Sequence, residues 1–162
     1  MKFKKYIFNC FLLLVPILLW NIILTDYLPV AFSPVIFWKD IPDWVSFSEN
    51  TLRIVIMVIP FIMILSIKSR KQKVGLTIYL IGTILYFLSW ILLIIYPNSN
   101  WRKSVFGFMA PAYTPLIWLI GVGLIGSVSY FKIKHLTIIY ILLSLLFISF
   151  HSLHTFIVFE RF

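Results

Sequence analysis

The chain has 162 residues, of which 62% are hydrophobic and 12% are charged, with a mean hydropathy of +1.04. Soluble domains are roughly half apolar and a quarter charged, so this composition excludes an ordinary soluble domain and predicts a helical bundle in lipid. The net charge of +9 would suggest a nucleic-acid partner in a soluble protein. Here the cations lie in short loops beside apolar runs, which indicates a role in membrane topology and no nucleic-acid partner.

The first apolar run, from about Tyr6 to Thr25, is long enough to cross a bilayer. It follows a basic N-terminus, but no clear Ala-x-Ala cleavage site comes after it, so we expect an uncleaved first span. The next stretch, 26–45, combines helix-breaking prolines with large aromatic side chains. It is predicted to be a loop or short surface helix in the headgroup zone, built around Pro29, Pro34, Pro42, Phe32, Phe37, Trp38 and Trp44.

A second span is predicted over about 46–67. Ser46-Phe47-Ser48-Glu49 fits the S-x-x-E capping box, and Glu49 precedes Arg53 by four residues, the spacing of a helical ion pair. The apolar run after Arg53 is too short to cross the bilayer alone. We therefore expect the span to include Arg53, whose side chain would reach toward the outer headgroups.

Three further spans are predicted over 74–96, 114–131 and 136–159. Gly75 and Gly82 in the third span would admit a neighbouring helix closely. The fourth span contains Gly123-x-x-x-Ser127, a small-x-x-x-small spacing that predicts a place at the centre of the bundle. A second aromatic loop, 101–112, separates these two spans.

The charges sort by loop when the N-terminus is placed inside. Nine cations and no acids then lie inside: Lys2, Lys4, Lys5, Lys68, Arg70, Lys71, Lys73, Lys132 and Lys134. The outer side receives Lys39, Arg53, Arg102, Lys103 and Arg161 with all five acids, Asp26, Asp40, Asp43, Glu49 and Glu160. This agrees with the positive-inside rule. The prediction is an all-α integral membrane domain over 1–162 with five transmembrane helices, N-terminus inside, C-terminus outside and two aromatic, proline-rich outer loops.

The same topology places every tryptophan in the outer half or the outer loops, whereas an ordinary aromatic belt marks both interfaces. One explanation is that the outer loops pack on themselves. The other is an aromatic-walled pocket for a hydrophobic ligand. Its candidate binding residues are Trp38, Trp44, Trp90, Trp101 and Trp118, together with His151 and His154.

His151 and His154 stand three residues apart, so they share one face of the fifth span. Imidazole is a common ligand of metals and of haem, which makes this pair a candidate metal or haem site. Such a site would need further ligands, for which the candidates are Asp26, Asp40, Asp43 and Glu160. The alternative is a pair of hydrogen-bonded structural histidines.

The leading functional hypothesis is a non-enzymatic membrane protein that binds a hydrophobic small molecule or another membrane protein at its outer face. One alternative is a membrane-embedded enzyme or redox protein that uses His151 and His154. Another is a minimal transporter, against which stands the expected absence of an acid in mid-span. Catalytic residues are not predicted. Amino-acid usage rich in Ile, Phe and Lys indicates an AT-rich bacterial genome. The expected location is therefore the cytoplasmic membrane of a bacterium.

Overall fold

The computed structural model describes residues 7–162. Lys2, Lys4 and Lys5 of the predicted inner side, and Tyr6 at the predicted start of span one, lie outside the described residues. The structure is 76% helical and has no strands in the part it describes, which confirms the all-α class. Its α-helices are α1 Val15–Leu24, α2 Pro34–Phe37, α3 Asp43–Val58, α4 Arg70–Ile95, α5 Asn100–Lys103, α6 Val105–Phe108, α7 Ala110–Tyr113, α8 Pro115–Ile125 and α9 Leu136–Phe159. Short 3-10 turns cover Cys10–Leu13, Thr25–Tyr27, Val30–Phe32 and Ile59–Ile62.

Four helical segments within residues 7–162 are long and apolar enough to cross a membrane: Cys10–Tyr27, Asp43–Ile62, Arg70–Ile95 and Leu136–Phe159. Their exposed positions are largely apolar, as Leu80, Ile84, Leu88 and Leu142 illustrate. Side chains of this kind are stable against lipid and costly against water. The four segments suggest a membrane protein.

The predicted fourth span, 114–131, is shorter than expected. Its helix α8 has 11 residues and ends at Ile125. Together with α7 it forms the apolar segment Ala110–Ile125, which rises about 24 Å against a hydrocarbon core of about 30 Å. Seven residues of α8 are buried, and it packs between α4 and α9. Beyond its end, bonds from Ile64 N to Val128 O and from Tyr130 N to Ile62 O satisfy part of the irregular backbone.

The second candidate span, Asp43–Ile62, differs from the predicted 46–67 at both ends. Helix α3 begins at Asp43 after Pro42, so Ser46 lies inside the helix and caps nothing. The helix ends at the 3-10 turn containing Pro60, and Met63 is already extended. Proline at 42 sets the helix start because its fixed φ suits the boundary and its missing N–H costs nothing there. Helix α4 also begins earlier than predicted, at Arg70, because Ser69 and Gln72 form a capping box.

The chain beyond α3 joins two other extended segments. Cys10 N donates to Met63 O at 2.9 Å, and Ile64 N donates to Val128 O at 2.8 Å. These bonds tie residues 8–10, 62–65 and 128–130 together and satisfy backbone groups that no helix satisfies. They also bring residues 66–73, which include the first turn of α4, and residues 131–135 to one end of the molecule. Both segments carry cations, and we call this end the basic end.

The opposite end, called the aromatic end, comprises residues 28–42, 97–113 and 160–162. The Arg161 guanidinium donates to the carbonyls of Lys39 and Asp40. The Phe108 ring lies 4.7 Å from the Phe32 ring and 5.3 Å from the Phe159 ring, between centroids. The two predicted aromatic loops and the C-terminus therefore meet at one end.

Glycines allow the backbones of α4 and α8 to touch. A Cβ atom on Gly82 would lie 2.4 Å from the backbone nitrogen of Trp118, and one on Gly121 would lie 2.5 Å from that of Tyr79. The close contact predicted at Gly75 and Gly82 is confirmed. Gly123 instead faces side chains of α9, and Ser127 lies beyond the end of α8. The closest approach of two helix backbones is therefore not at the Gly123-x-x-x-Ser127 spacing.

Candidate functional site

A buried carboxylate joins α3 to α9. Glu49 is fully buried, with 0% of its surface exposed. Its Oε1 lies 2.9 Å from Nδ1 of His151 and pairs with the Arg53 guanidinium, while its Oε2 lies 2.5 Å from Nδ1 of His154. A buried charge is stable only when its hydrogen-bonding capacity is met. We call these four residues, Glu49, Arg53, His151 and His154, the Glu49 cluster.

Helix geometry explains why these residues meet. Glu49 and Arg53 are one turn apart on α3, and His151 and His154 are one turn apart on α9. The two helices pack side by side. The predicted ion pair between Glu49 and Arg53 is confirmed, but Glu49 lies inside the helix and not in its capping turn.

The hydrogen bonds of His154 determine how many protons it carries. Its Nε2 lies 2.9 Å from the carbonyl oxygen of Phe37, which can only accept, so Nε2 carries a proton. Its Nδ1 faces Oε2 of Glu49, and these two atoms share one further proton. The pair is then neutral as a whole, whether that proton lies on the histidine or on the glutamate.

Aromatic rings enclose the Glu49 cluster. The His154 ring lies 4.2 Å from Phe37 and 4.6 Å from Trp38, and the His151 ring stacks on Phe147 at 5.5 Å, between centroids. The guanidinium of Arg53 lies 5.6 Å from the Trp38 ring and 5.9 Å from the Phe147 ring. At these distances the ring faces attract the cation. The two rings stabilise the positive charge of Arg53 without neutralising it.

Beside the cluster lies a cavity of about 330 Å³ in the half of the molecule toward the aromatic end. This volume is at the lower end of the range of small-molecule sites. Arg53 and His151 form one wall, where their side chains are 37% and 21% exposed. On another wall the Tyr86 hydroxyl donates to Oδ1 of Asn21 at 2.7 Å. The remaining lining is mostly apolar, from Ile17, Leu18, Thr25, Leu28, Phe32, Phe37, Met57, Trp90, Pro111, Ala112, Pro115, Trp118, Phe147 and Thr155.

The predicted binding residues separate into three groups. Trp90, Trp118 and His151 line the cavity. Trp38 and His154 lie behind the wall that Arg53 and His151 form. Trp44 and Trp101 are exposed and line no part of this cavity.

The histidines are brought together, but with a different acid from those predicted. Asp26, Asp40, Asp43 and Glu160 are exposed, and the acid that both histidines contact is Glu49. Among residues 7–162 no group of three or more His, Cys, Asp and Glu side chains has the arrangement to hold a metal ion. Both nitrogens of His154 face oxygen atoms, so in this arrangement neither presents a lone pair to a metal.

Sequence reasoning missed Glu49 and Arg53 as parts of the site. The positions of Glu49 and His154 along their helices could have indicated that they meet. Glu49 lies six residues after the start of α3, and His154 lies five residues before the end of α9 at the same end of the molecule. An acid and a histidine at matching depth in two membrane helices are expected to pair, because each needs a polar partner there.

Comparison with protein-family models, curated proteins and solved structures gives no significant match. The cavity and the Glu49 cluster are therefore the features from which a function is inferred.

Proposed function

We propose that the chain is an integral membrane protein that binds a small amphipathic molecule in the cavity beside Arg53. The observation that supports this most is the lining itself. Apolar and aromatic side chains from several helices surround about 330 Å³, and a few polar groups, on Asn21, Arg53 and His151, converge on it. Binding sites for small organic molecules have this composition, because apolar walls supply affinity and polar groups fix orientation.

We also propose that the chain crosses the membrane five times, with α8 and its flanking residues as the fourth crossing in addition to the four long segments. The sorting of charges supports this topology. The basic end would face the cytosol and the aromatic end the outside, so the cavity would open toward the outer leaflet. The cytoplasmic membrane of a bacterium is the proposed location.

Binding is favoured over catalysis because Glu49, the one acid of the cluster, is fully enclosed. It orients Arg53 and His151 rather than contacting a ligand.

A metal or haem role for His151 and His154 would require His154 to leave Phe37 O or Glu49. The carboxylate of Glu49 lies inside a candidate span, which supports the transporter alternative. A transporter would also need a path from the cavity to the basic end. A partner membrane protein on the apolar outer faces is a further alternative.

Tryptophan quenching tests the proposed binding. The protein, in nanodiscs of zwitterionic lipid, would be titrated with 8-bromooctan-1-ol, whose bromine quenches indole fluorescence on contact. We expect saturable quenching that disappears in Trp90→Phe plus Trp118→Phe, which removes the two lining indoles.

A cavity-filling variant provides the matched test. Ala112 is buried and lines the cavity, so Ala112→Phe should abolish saturable quenching. Val35, exposed at the same end, supplies the control Val35→Phe, which should leave quenching unchanged. Equal quenching in the wild type and in Ala112→Phe would contradict binding in the cavity.

A further inference from the structure

We propose that the ligand of this cavity is a monoanionic amphiphile, an apolar body with one carboxylate or phosphate group that binds the Arg53 guanidinium beside His151. This inference rests on the proposed function and adds the chemical class of the ligand. It follows from the charges around the cavity, the free donors of Arg53 and the size of the space.

The Glu49 cluster carries a net positive charge. The pair of Glu49 and His154 is neutral, because Nε2 of His154 must donate to Phe37 O and a single proton lies between Nδ1 and Oε2. Arg53 is always protonated in proteins. His151 donates from Nδ1 to Glu49 and is either neutral or cationic. The sum is one or two positive charges, wherever the shared proton lies.

No other acid of the described chain neutralises that charge. The remaining carboxylates, Asp26, Asp40, Asp43 and Glu160, are exposed, and the ion pairs found within residues 7–162 all involve Glu49. The other polar side chains on the cavity wall are uncharged: Asn21, Thr25, Tyr86, Trp90, Trp118 and Thr155. An uncompensated cation beside apolar walls is costly, and an anionic group in the cavity would remove that cost.

Arg53 has the means to bind such a group. One of its amino groups pairs with Glu49, and the other lies 3.4 Å from Oδ1 of Asn50, a long contact. A guanidinium has five N–H donors in a planar fork that matches carboxylate and phosphate oxygens. The side chain is partly exposed where it lines the cavity, so donors remain for a ligand. Glu49 and the rings of Trp38 and Phe147 hold the fork in place.

The cavity also limits the apolar body. A volume of about 330 Å³ is at the lower end of the range of small-molecule sites. A single short acyl chain or a one-ring or two-ring aromatic acid fits this space. A two-chain phospholipid is much larger, so a lipid could place only its anionic head group or one chain end there.

The test compares 8-bromooctanoate with 8-bromooctan-1-ol, which share a chain and differ in the charge of the head group. Quenching of the wild type at pH 7 would be referenced to the amount of each probe in the bilayer. We expect the octanoate to bind about 10-fold to 100-fold more tightly than the alcohol, as hydrogen bonds to charged groups imply. Equal affinity of the wild type for the two probes would overturn the inference. Failure of both probes to bind would instead overturn the proposed function.

Variants of Arg53 identify the group that recognises the anion. Arg53→Gln should abolish the preference for octanoate over the alcohol, whereas Arg53→Lys should retain part of that preference. Because Arg53→Gln leaves Glu49 short of a partner, Glu49→Gln plus Arg53→Gln serves as a second variant without an orphaned carboxylate. Lys103→Gln, at an exposed cation of the same end, is the control for general attraction and should keep the preference. An unchanged preference in the Arg53→Gln variants would overturn the assignment.

A final arm distinguishes the source of the anion. Nanodiscs containing phosphatidylglycerol would be compared with zwitterionic ones. Loss of octanoate quenching in the anionic discs identifies a lipid head group as the competing ligand, and unchanged quenching identifies a free monoanion. Both results support recognition of an anion by Arg53, provided that the preference depends on that residue.

Discussion

Glu49 and His154, 105 residues apart in sequence, are joined by a 2.5 Å contact between Oε2 and Nδ1. This contact links α3 to α9, and through Nε2 of His154 it extends to the backbone of Phe37 at the aromatic end. The same carboxylate orients Arg53 and His151 at the cavity wall. One buried acid therefore connects the stability of the fold to the geometry of the proposed binding site.

Loss of that acid should be strongly destabilising. Glu49→Ala leaves Arg53 and two histidines without their buried partner, and we expect it to lower the free energy of unfolding by about 3–5 kcal/mol. Unfolding by denaturing detergent, followed by circular dichroism, measures the change. The control is Glu160→Ala at an exposed acid, for which a change within about 0.5 kcal/mol is expected. Equal stability of the two variants would contradict the role given to Glu49.

His154 should contribute more to the stability of the fold than His151. His154 is fully buried with both ring nitrogens bonded, whereas His151 is partly exposed at the cavity. His154→Ala leaves Oε2 of Glu49 and the Phe37 carbonyl unsatisfied, at about 1–3 kcal/mol for each buried group. We expect a clearly larger fall in the thermal midpoint for His154→Ala than for His151→Ala. The reverse order would contradict the hydrogen-bonding pattern described.

A chelator tests the alternative role of the histidines. If they act through hydrogen bonds alone, treatment of the purified protein with EDTA should leave its thermal midpoint unchanged. Elemental analysis and the visible absorption spectrum should be compared between the wild type and His151→Ala plus His154→Ala. A stoichiometric metal or a haem band that is present in the wild type and lost in the variant would establish the metal or haem site.

The contact between α4 and α8 should not tolerate a side chain at Gly82. Its Cβ would lie 2.4 Å from the backbone nitrogen of Trp118, so the helices would have to separate. We expect Gly82→Ala to cost about 1–3 kcal/mol. Gly123→Ala is the matched control, since its Cβ would meet side-chain atoms of Tyr140 and Ile141 at 3.0 Å or more and no backbone atom this closely. A milder effect at Gly82 than at Gly123 would argue against this packing.

The proposed orientation predicts which loops are reachable from outside the cell. In a variant with Cys10, which is buried, replaced by serine, a single cysteine would be introduced as Asp40→Cys or as Lys71→Cys. An impermeant maleimide added to intact cells should label position 40 and label position 71 only after the membrane is broken. Labelling of position 71 in intact cells would reverse the topology.

The helices that hydropathy alone determines were predictable from the sequence. The long apolar runs within α4 and α9 are recognisable because they are long and apolar enough to cross a bilayer. Helix ends were less predictable where two local sequence signals favoured different positions. Ser46-x-x-Glu49 fits a cap, but Pro42 starts the helix earlier and leaves Glu49 free to face α9. The length of α8 depended on the irregular backbone that begins at Gly126, which composition does not reveal.

The candidate site was only partly predictable for a related reason. The i, i+3 spacing placed His151 and His154 on one face. The surplus of tryptophan at one end left two explanations open, outer loops that pack on themselves and an aromatic pocket. Which acid they would meet depended on how α3 packs against α9. Which tryptophans line a cavity likewise depended on the rotation of α4 and α8, so Trp90 and Trp118 line it while Trp44 and Trp101 do not.

Crystals grown in a lipid phase with 8-bromooctanoate give the most direct test of the central claim, that the cavity beside Arg53 holds an anionic amphiphile. Anomalous scattering locates the bromine. We expect one dominant peak inside the cavity near Trp90 and Trp118, with density for the carboxylate against the Arg53 guanidinium. Bromine peaks only on the lipid-facing surface, or a cavity filled by protein side chains, would contradict the claim.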